Sequence, residues 1–122
     1  MAYFECLRRG VFWEIWITKQ VSGSQVMDYA RGLAKPVYNR IRHILERTAD
    51  EGKYESEEIY RHIGDGIYEF KAQTARIYSF NDEKRIVLTH GATKPKRVDK
   101  ERNVAVRVRS EYLEWKKGER HT

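Results

Sequence analysis

DGIYEFKAQTARIYSFNDEKRIVLTHGATKPK, residues 65–96, is the stretch whose reading decides the fold. It predicts three consecutive strands, about 67–72, 75–80 and 85–90, joined by tight turns and followed by a short basic loop. In the first strand Tyr68, Phe70 and Ala72 point to one face and Ile67, Glu69 and Lys71 to the other, because strand side chains alternate. With Gln73-Thr74 as the turn, Ala72 pairs with Ala75 and Lys71 stands opposite Arg76. Directly opposed like charges destabilise an antiparallel pair, and a purely structural sheet gains nothing from this one. A polyanion lying on that face offsets the cost.

Residues 81–84 (NDEK) form a polar hairpin turn. With an even-length loop Phe80 pairs with Arg85 and Arg76 with Thr89, which places His90 on the Tyr68/Phe70 face; a one-residue bulge would flip it. Lys94-Pro95-Lys96-Arg97 is a compact basic loop that Pro95 holds extended.

Outward from this sheet, residues 54–64 read as a short helix or an irregular linker, since Ile59 and Ile63 recur at i, i+4. From Gln25 to Glu51 the apolar residues follow a helical period. Pro36 has no amide proton, so it ends one helix and opens the next, giving an αα-hairpin. Ser22 and Ser24 are candidate caps for the first helix. FWEIWIT (12–18) has the β-branched and aromatic content of a strand, with Trp13, Ile15 and Ile17 toward the core. Residues 1–10 are a lead-in, a strand or an arm, expected to be flexible along with the polar tail 118–122. After Asp99, a plausible N-cap, Val104, Val106 and Val108 alternate as in a strand, yet Val104, Val108, Tyr112 and Trp115 share one helical face. Length, mixed charge and the absence of a breaker favour a helix.

The 122 residues fit a single α+β domain with one core. Three Trp, eight Tyr and four Phe among 40% hydrophobic residues argue for a folded chain. A net charge of +6 suits a partner rich in phosphate. Cys6 is the sole cysteine, so no internal disulfide or thiolate metal site is available. The four His lack metal-ligand spacing, and no cofactor motif is present. No apolar run reaches the length of a membrane span, and the charged N-terminus is unlike a signal peptide. These features predict a cytoplasmic protein with neither metal nor cofactor.

The order strand, αα-hairpin, three-stranded meander and C-terminal helix resembles the RelE/HigB-type toxins of type II toxin–antitoxin systems. DGIYEFK (65–71) is similar to that family's "dGlyElR" strand, ARIYSF (75–80) to "yRilYf", and RIVLTHGATKPK (85–96) to "ivlLhgf-KK". Ala105, Arg109 and Tyr112 match the spacing of its last helix. The resemblance implies a RelE-like fold, a cognate antitoxin (a small helix-turn-helix protein), and metal-independent cleavage of mRNA, often on the ribosome. It implies that Lys71 and Arg76 contact phosphate, that Lys94 is the basic residue after the last strand, and that His90 sits where some members carry a polar or catalytic group. Such cleavage needs a base for the 2′-OH, cations for the phosphorane and an acid for the leaving oxygen. Glu69 or His90 supplies the base, Tyr78 donates a proton or stacks on a nucleobase, and Lys96 and Arg97 add RNA contacts. Tyr112 and Trp115 are core or antitoxin-interface residues. Lys71 replaces the family's usual Arg and Pro95 splits its Lys pair, which keeps two alternatives open: a non-catalytic, ParE-like gyrase inhibitor, and a basic RNA-binding module without toxicity.

Overall fold

The computed structural model describes residues 3–20 and 23–120. Along the chain these form β1 (Tyr3–Arg9), β2 (Glu14–Lys19), α1 (Gln25–Arg31), α2 (Lys35–Glu51), β3 (Tyr60–Gly64), β4 (Ile67–Ala72), β5 (Ala75–Asp82), β6 (Arg85–Thr93) and α3 (Val98–Arg120). One six-stranded sheet has the order β1-β2-β6-β5-β4-β3. Its neighbours are antiparallel except β2 and β6, which run parallel.

The two faces of the sheet are both covered. On one, Ile15, Ile17, Phe70, Ala72, Ala75, Ile77, Ile86 and Leu88 pack with Val26 of α1 and Ile41 and Ile44 of α2. On the other, Phe4, Trp16, Ile67, Tyr78, Phe80 and Val87 pack with Ala105 and Tyr112 of α3. Burial on both faces is why β5 and β6 read as nearly continuous apolar runs. Ser24 caps α1 by accepting from the Met27 amide, and Pro36 lies in the first turn of α2. The other candidate cap, Ser22, and tail residues His121 and Thr122 lie outside the described residues.

The β4–β5 register is the expected one, Lys71 opposite Arg76 and Ala72 opposite Ala75, with Gln73 in the left-handed region at the turn. Several expectations are corrected. The meander has four strands, because residues 60–64 form β3 rather than a helix or linker. Asp65 and Gly66 both have positive φ, the geometry of a tight hairpin turn, and so fold β3 back onto β4. Of the two readings of the lead-in, strand or arm, the strand holds: β1 pairs with β2. The β5–β6 turn is tighter than supposed, with Asp82 opposite Arg85. A register shift follows between Tyr78 and Ser79, leaving Thr89 as the extra residue. Arg76 therefore pairs with Ala92, and His90 lies opposite Tyr78 on the Glu69 face, not the Tyr68/Phe70 face. Helix α3 starts at Val98, which puts Asp99 in its first turn, and it runs through Gly118 into the expected tail.

Candidate nucleic-acid interface

Register alone aligns Arg61 of β3, Glu69 of β4, Tyr78 of β5 and His90 of β6 in one row across the sheet, on the face covered by α3. Glu69 is fully buried. A buried carboxylate needs charge partners, and it has two: Arg61 Nη2 lies 3.1 Å from Oε1, and Arg76 Nε lies 3.9 Å from Oε2. Tyr78 is also fully buried, and the His90 ring stacks on it at 4.8 Å. Burial and the neighbouring Glu69 push the Tyr78 phenol pKa upward, so it stays neutral at physiological pH.

The bulge at Thr89 orients the imidazole. Thr89 Oγ1 lies 2.9 Å from His90 Nδ1 and donates to the Tyr78 carbonyl at 3.3 Å. From α3, Glu101 Oε1 approaches His90 Nε2 to 3.6 Å. Burial holds the His90 pKa below its ordinary value, against the opposing pull of Glu101. Four buried polar atoms of the row have no hydrogen-bond partner: Arg61 Nε, Glu69 Oε2, Tyr78 Oη and His90 Nε2. Burial without hydrogen bonds costs free energy, which the charge partners of Glu69 Oε2 at 3.9 Å and His90 Nε2 at 3.6 Å offset in part.

The cations gather at one end of the sheet. Arg76 is held by its turn: Nη1 donates to the Gln73 and Ala75 carbonyls at 2.7 and 3.0 Å. Lys71 stands opposite it in the ladder. The Lys94 amide donates to Thr74 at 2.9 Å, which sets that residue, itself at positive φ, against the same turn. Lys96 is exposed, and Arg97 is paired with Asp99 at 2.8 Å.

Tyr112 is buried between α3 and the sheet, bridging the rings of Phe4 and Phe80, while Trp115 packs on Phe4 and Trp16. Sequence reasoning missed Arg61, Thr89 and Glu101. Arg61 was hidden in a segment read as helix or linker. Thr89 matters only because of the bulge, and Glu101 only because α3 crosses the row. A hint for α3 lay in its arginines: Arg102 donates to the Ile63 carbonyl at 2.9 Å and Arg109 to that of Asp65, which pins the helix over the β3–β4 turn.

No helix among the described residues is long and apolar enough to cross a membrane. The family model described as phage derived protein Gp49-like (DUF891) matches residues 28–106. No curated protein matches the chain. The matched segment contains every member of the row together with Lys71, Arg76, Lys94 and Glu101, and leaves out β1 and β2. Because it spans well over half of the sequence, the chain belongs to the Gp49-like family, a phage-derived family of toxins from toxin–antitoxin systems related to RelE and HigB.

Proposed function

We propose that this toxin is a metal-independent endoribonuclease that cuts mRNA in the cytoplasm. Family membership implies a cognate antitoxin; in this reading that partner is a small helix-turn-helix protein. The observation that carries the proposal is the cationic end of the sheet, where Lys71 faces Arg76 and Lys94 adjoins the same turn. Among the described residues Lys71 and Lys94 have no ion-pair partner, and Arg76 Nη2 has no hydrogen bond. These are the groups a sugar-phosphate chain would meet. Arg76 offers its free edge to a phosphate oxygen and the lysines add charge as the phosphorane forms.

The base in this reading is His90, which at 7% exposure lines a cleft beside α3; its Nε2 is buried, so α3 must give way before a 2′-OH can reach it. With Thr89 Oγ1 donating to Tyr78, His90 Nδ1 is the donor toward Thr89, and Nε2 keeps the lone pair that accepts the 2′-OH proton. Glu101 then stabilises the imidazolium. Glu69 and Tyr78 are too deeply buried to touch RNA, so both act through neighbours: Glu69 positions Arg61 and Arg76, and Tyr78 supports the imidazole ring.

Expression without antitoxin is expected to arrest growth with loss of intact mRNA, and Arg76→Ala/Lys94→Ala to relieve it. Full toxicity in the double variant would place the site elsewhere. The complete burial of Glu69 and Tyr78 favours one rival, a ParE-like gyrase inhibitor; arrest with lost supercoiling and intact RNA would select it.

A further inference from the structure

The parallel neighbours β2 and β6 send their chains to opposite faces of the sheet. β2 leads into α1, and β6 leads into α3 on the other side. A sheet with helices on both faces leaves a crevice outside the carboxyl ends of such strands, the usual place for a ligand. Here the ladder stops at Ile17 and Leu88. Past that point Gln25 takes over the β6 edge, donating to the Gly91 carbonyl at 3.2 Å and accepting from its amide at 2.9 Å. The space left between α1 and α3 is a cleft of about 510 Å³.

Its walls contain unspent recognition chemistry. His90, the base of the reading above, borders the cleft at 7% exposure, with Glu101 3.6 Å from its Nε2. Thr18 lines it from β2 with a buried, unpartnered hydroxyl. Arg107 and Glu111 stand four residues apart on α3 and both line the cleft. Among the described residues neither side chain makes a hydrogen bond or ion pair, with the other or with any neighbour.

The charge balance argues against a phosphate as occupant, since Arg107 is matched by Glu111 on the same helix and Asp28, paired with Arg31 at 3.8 Å, leaves no surplus positive charge in the walls. A flat heterocycle with both donors and acceptors suits these walls, which set the amides of Gln20 and Gln25 beside Val104, Val108 and the Tyr29 ring. Among RNA bases, guanine presents the acceptors O6 and N7 next to the donors N1–H and N2–H. Arg107 can grip the first pair in a fork and Glu111 can accept from the second. We infer that this cleft is the recognition pocket for one unstacked guanine nucleoside of the bound RNA strand, an inference that rests on the RNA reading above. His90 joins the two sites: two residues further along β6, Ala92 is the partner of Arg76.

The test uses the full chain and four single-stranded pentanucleotides, UUGUU, UUAUU, UUCUU and UUUUU, with 2′-O-methyl riboses that prevent cleavage. Fluorescence anisotropy should show UUGUU binding about tenfold more tightly than the others, as expected for one well-read base. Glu111→Gln and Arg107→Ala, both on the surface of α3, should collapse that ratio toward one. Lys71→Ala/Arg76→Ala should weaken all four strands alike and preserve the ratio. Equal affinity for the four strands overturns the inference, as does a guanine preference that survives both α3 substitutions. The guanine preference with natural RNA left uncut would sink the nuclease reading and leave the pocket standing; no affinity for any strand would sink both.

Discussion

His90 shows how one residue's role depends on one inserted neighbour. The alternation of RIVLTH puts it on the face of α1 and α2, but the extra residue Thr89 turns it toward α3 and against Tyr78. Nothing in a Leu-Thr-His run marks a bulge, so the face was not legible, whereas the Lys71–Arg76 pairing followed directly from a two-residue turn. The titration of His90 has a defined direction. Its folded pKa lies below the ordinary 6.5, so the unfolded chain binds more protons between the two values. Its contribution to stability is complete above 6.5 and is lost as the pH falls through the lowered folded value. Denaturation midpoints of the wild type should fall across that window and those of His90→Gln should fall less. In cleavage assays the same group gives an acid limb lying below 6.5 that vanishes in the variant. For Glu69, substitution by Leu leaves Arg61 and Arg76 without their shared anion. Both guanidiniums reach some solvent, at 40% and 21% side-chain exposure, so the expected loss is about 2 kcal/mol rather than the full cost of breaking a buried pair. Urea denaturation measures it.

At the scale of elements, those that announced themselves had two independent signals. The two N-terminal helices had a helical period plus Pro36, and β4 and β5 had alternation plus a polar turn. The edge strands had one or none. At β3, Ile59 just before the strand and Ile63 within it mimic a helical stripe, and only the Asp65-Gly66 turn betrays a hairpin. β1 carries charges suited to its neighbours, Arg8 to Asp50 and Glu5 to Lys19, so its alternation is blurred. Helix α3 was ambiguous because its valines also fit a strand; its second half is anchored by polar contacts that no periodicity predicts. Tyr112 donates to Asp82 and accepts from Arg85 at 3.0 Å, Lys116 reaches Asp82 at 2.6 Å, and burial pushes the phenol up to about 12. Tyr112→Phe keeps the ring packing and the Lys116–Asp82 contact but strips the bonds to Asp82 and Arg85 made by the hydroxyl, so a loss of about 1–2 kcal/mol is expected, read as a lowered Tm. Gly91→Ala tests the opposite face. A Cβ there would lie 2.1 Å from the Tyr29 ring. The ring must move and α1 with it, which should also break the Tyr29–Thr93 hydrogen bond of 2.7 Å, with a loss of about 1–3 kcal/mol in thermal denaturation.

For the whole molecule, a net charge of +6 says little until it is known where the charge is free. Much of it is spent inside the protein: Arg8, Arg61, Arg85 and Lys116 sit against carboxylates, and Arg102 and Arg109 hold α3 to the β3–β4 turn. What remains uncommitted at one end of the sheet is Lys71, Lys94 and the outer edge of Arg76, a small patch rather than a basic surface. This distinction can be measured. Each phosphate neutralised on a single strand contributes about 0.7 to the slope of log affinity against log salt. If the patch is the phosphate track, Lys71→Ala/Arg76→Ala/Lys94→Ala should make the slope shallower by about 2, whatever the base sequence of the RNA. Charge removal at Arg40 and Arg42 of α2 should leave it unchanged; Arg42 lies beside Leu7 and Arg8 of the edge strand β1. Equal losses of slope per charge removed, three in the first set and two in the second, would mean that RNA is drawn only by overall charge. The paired cations of β4 and β5 would then have no partner to offset their repulsion, and the nuclease reading would lose its support.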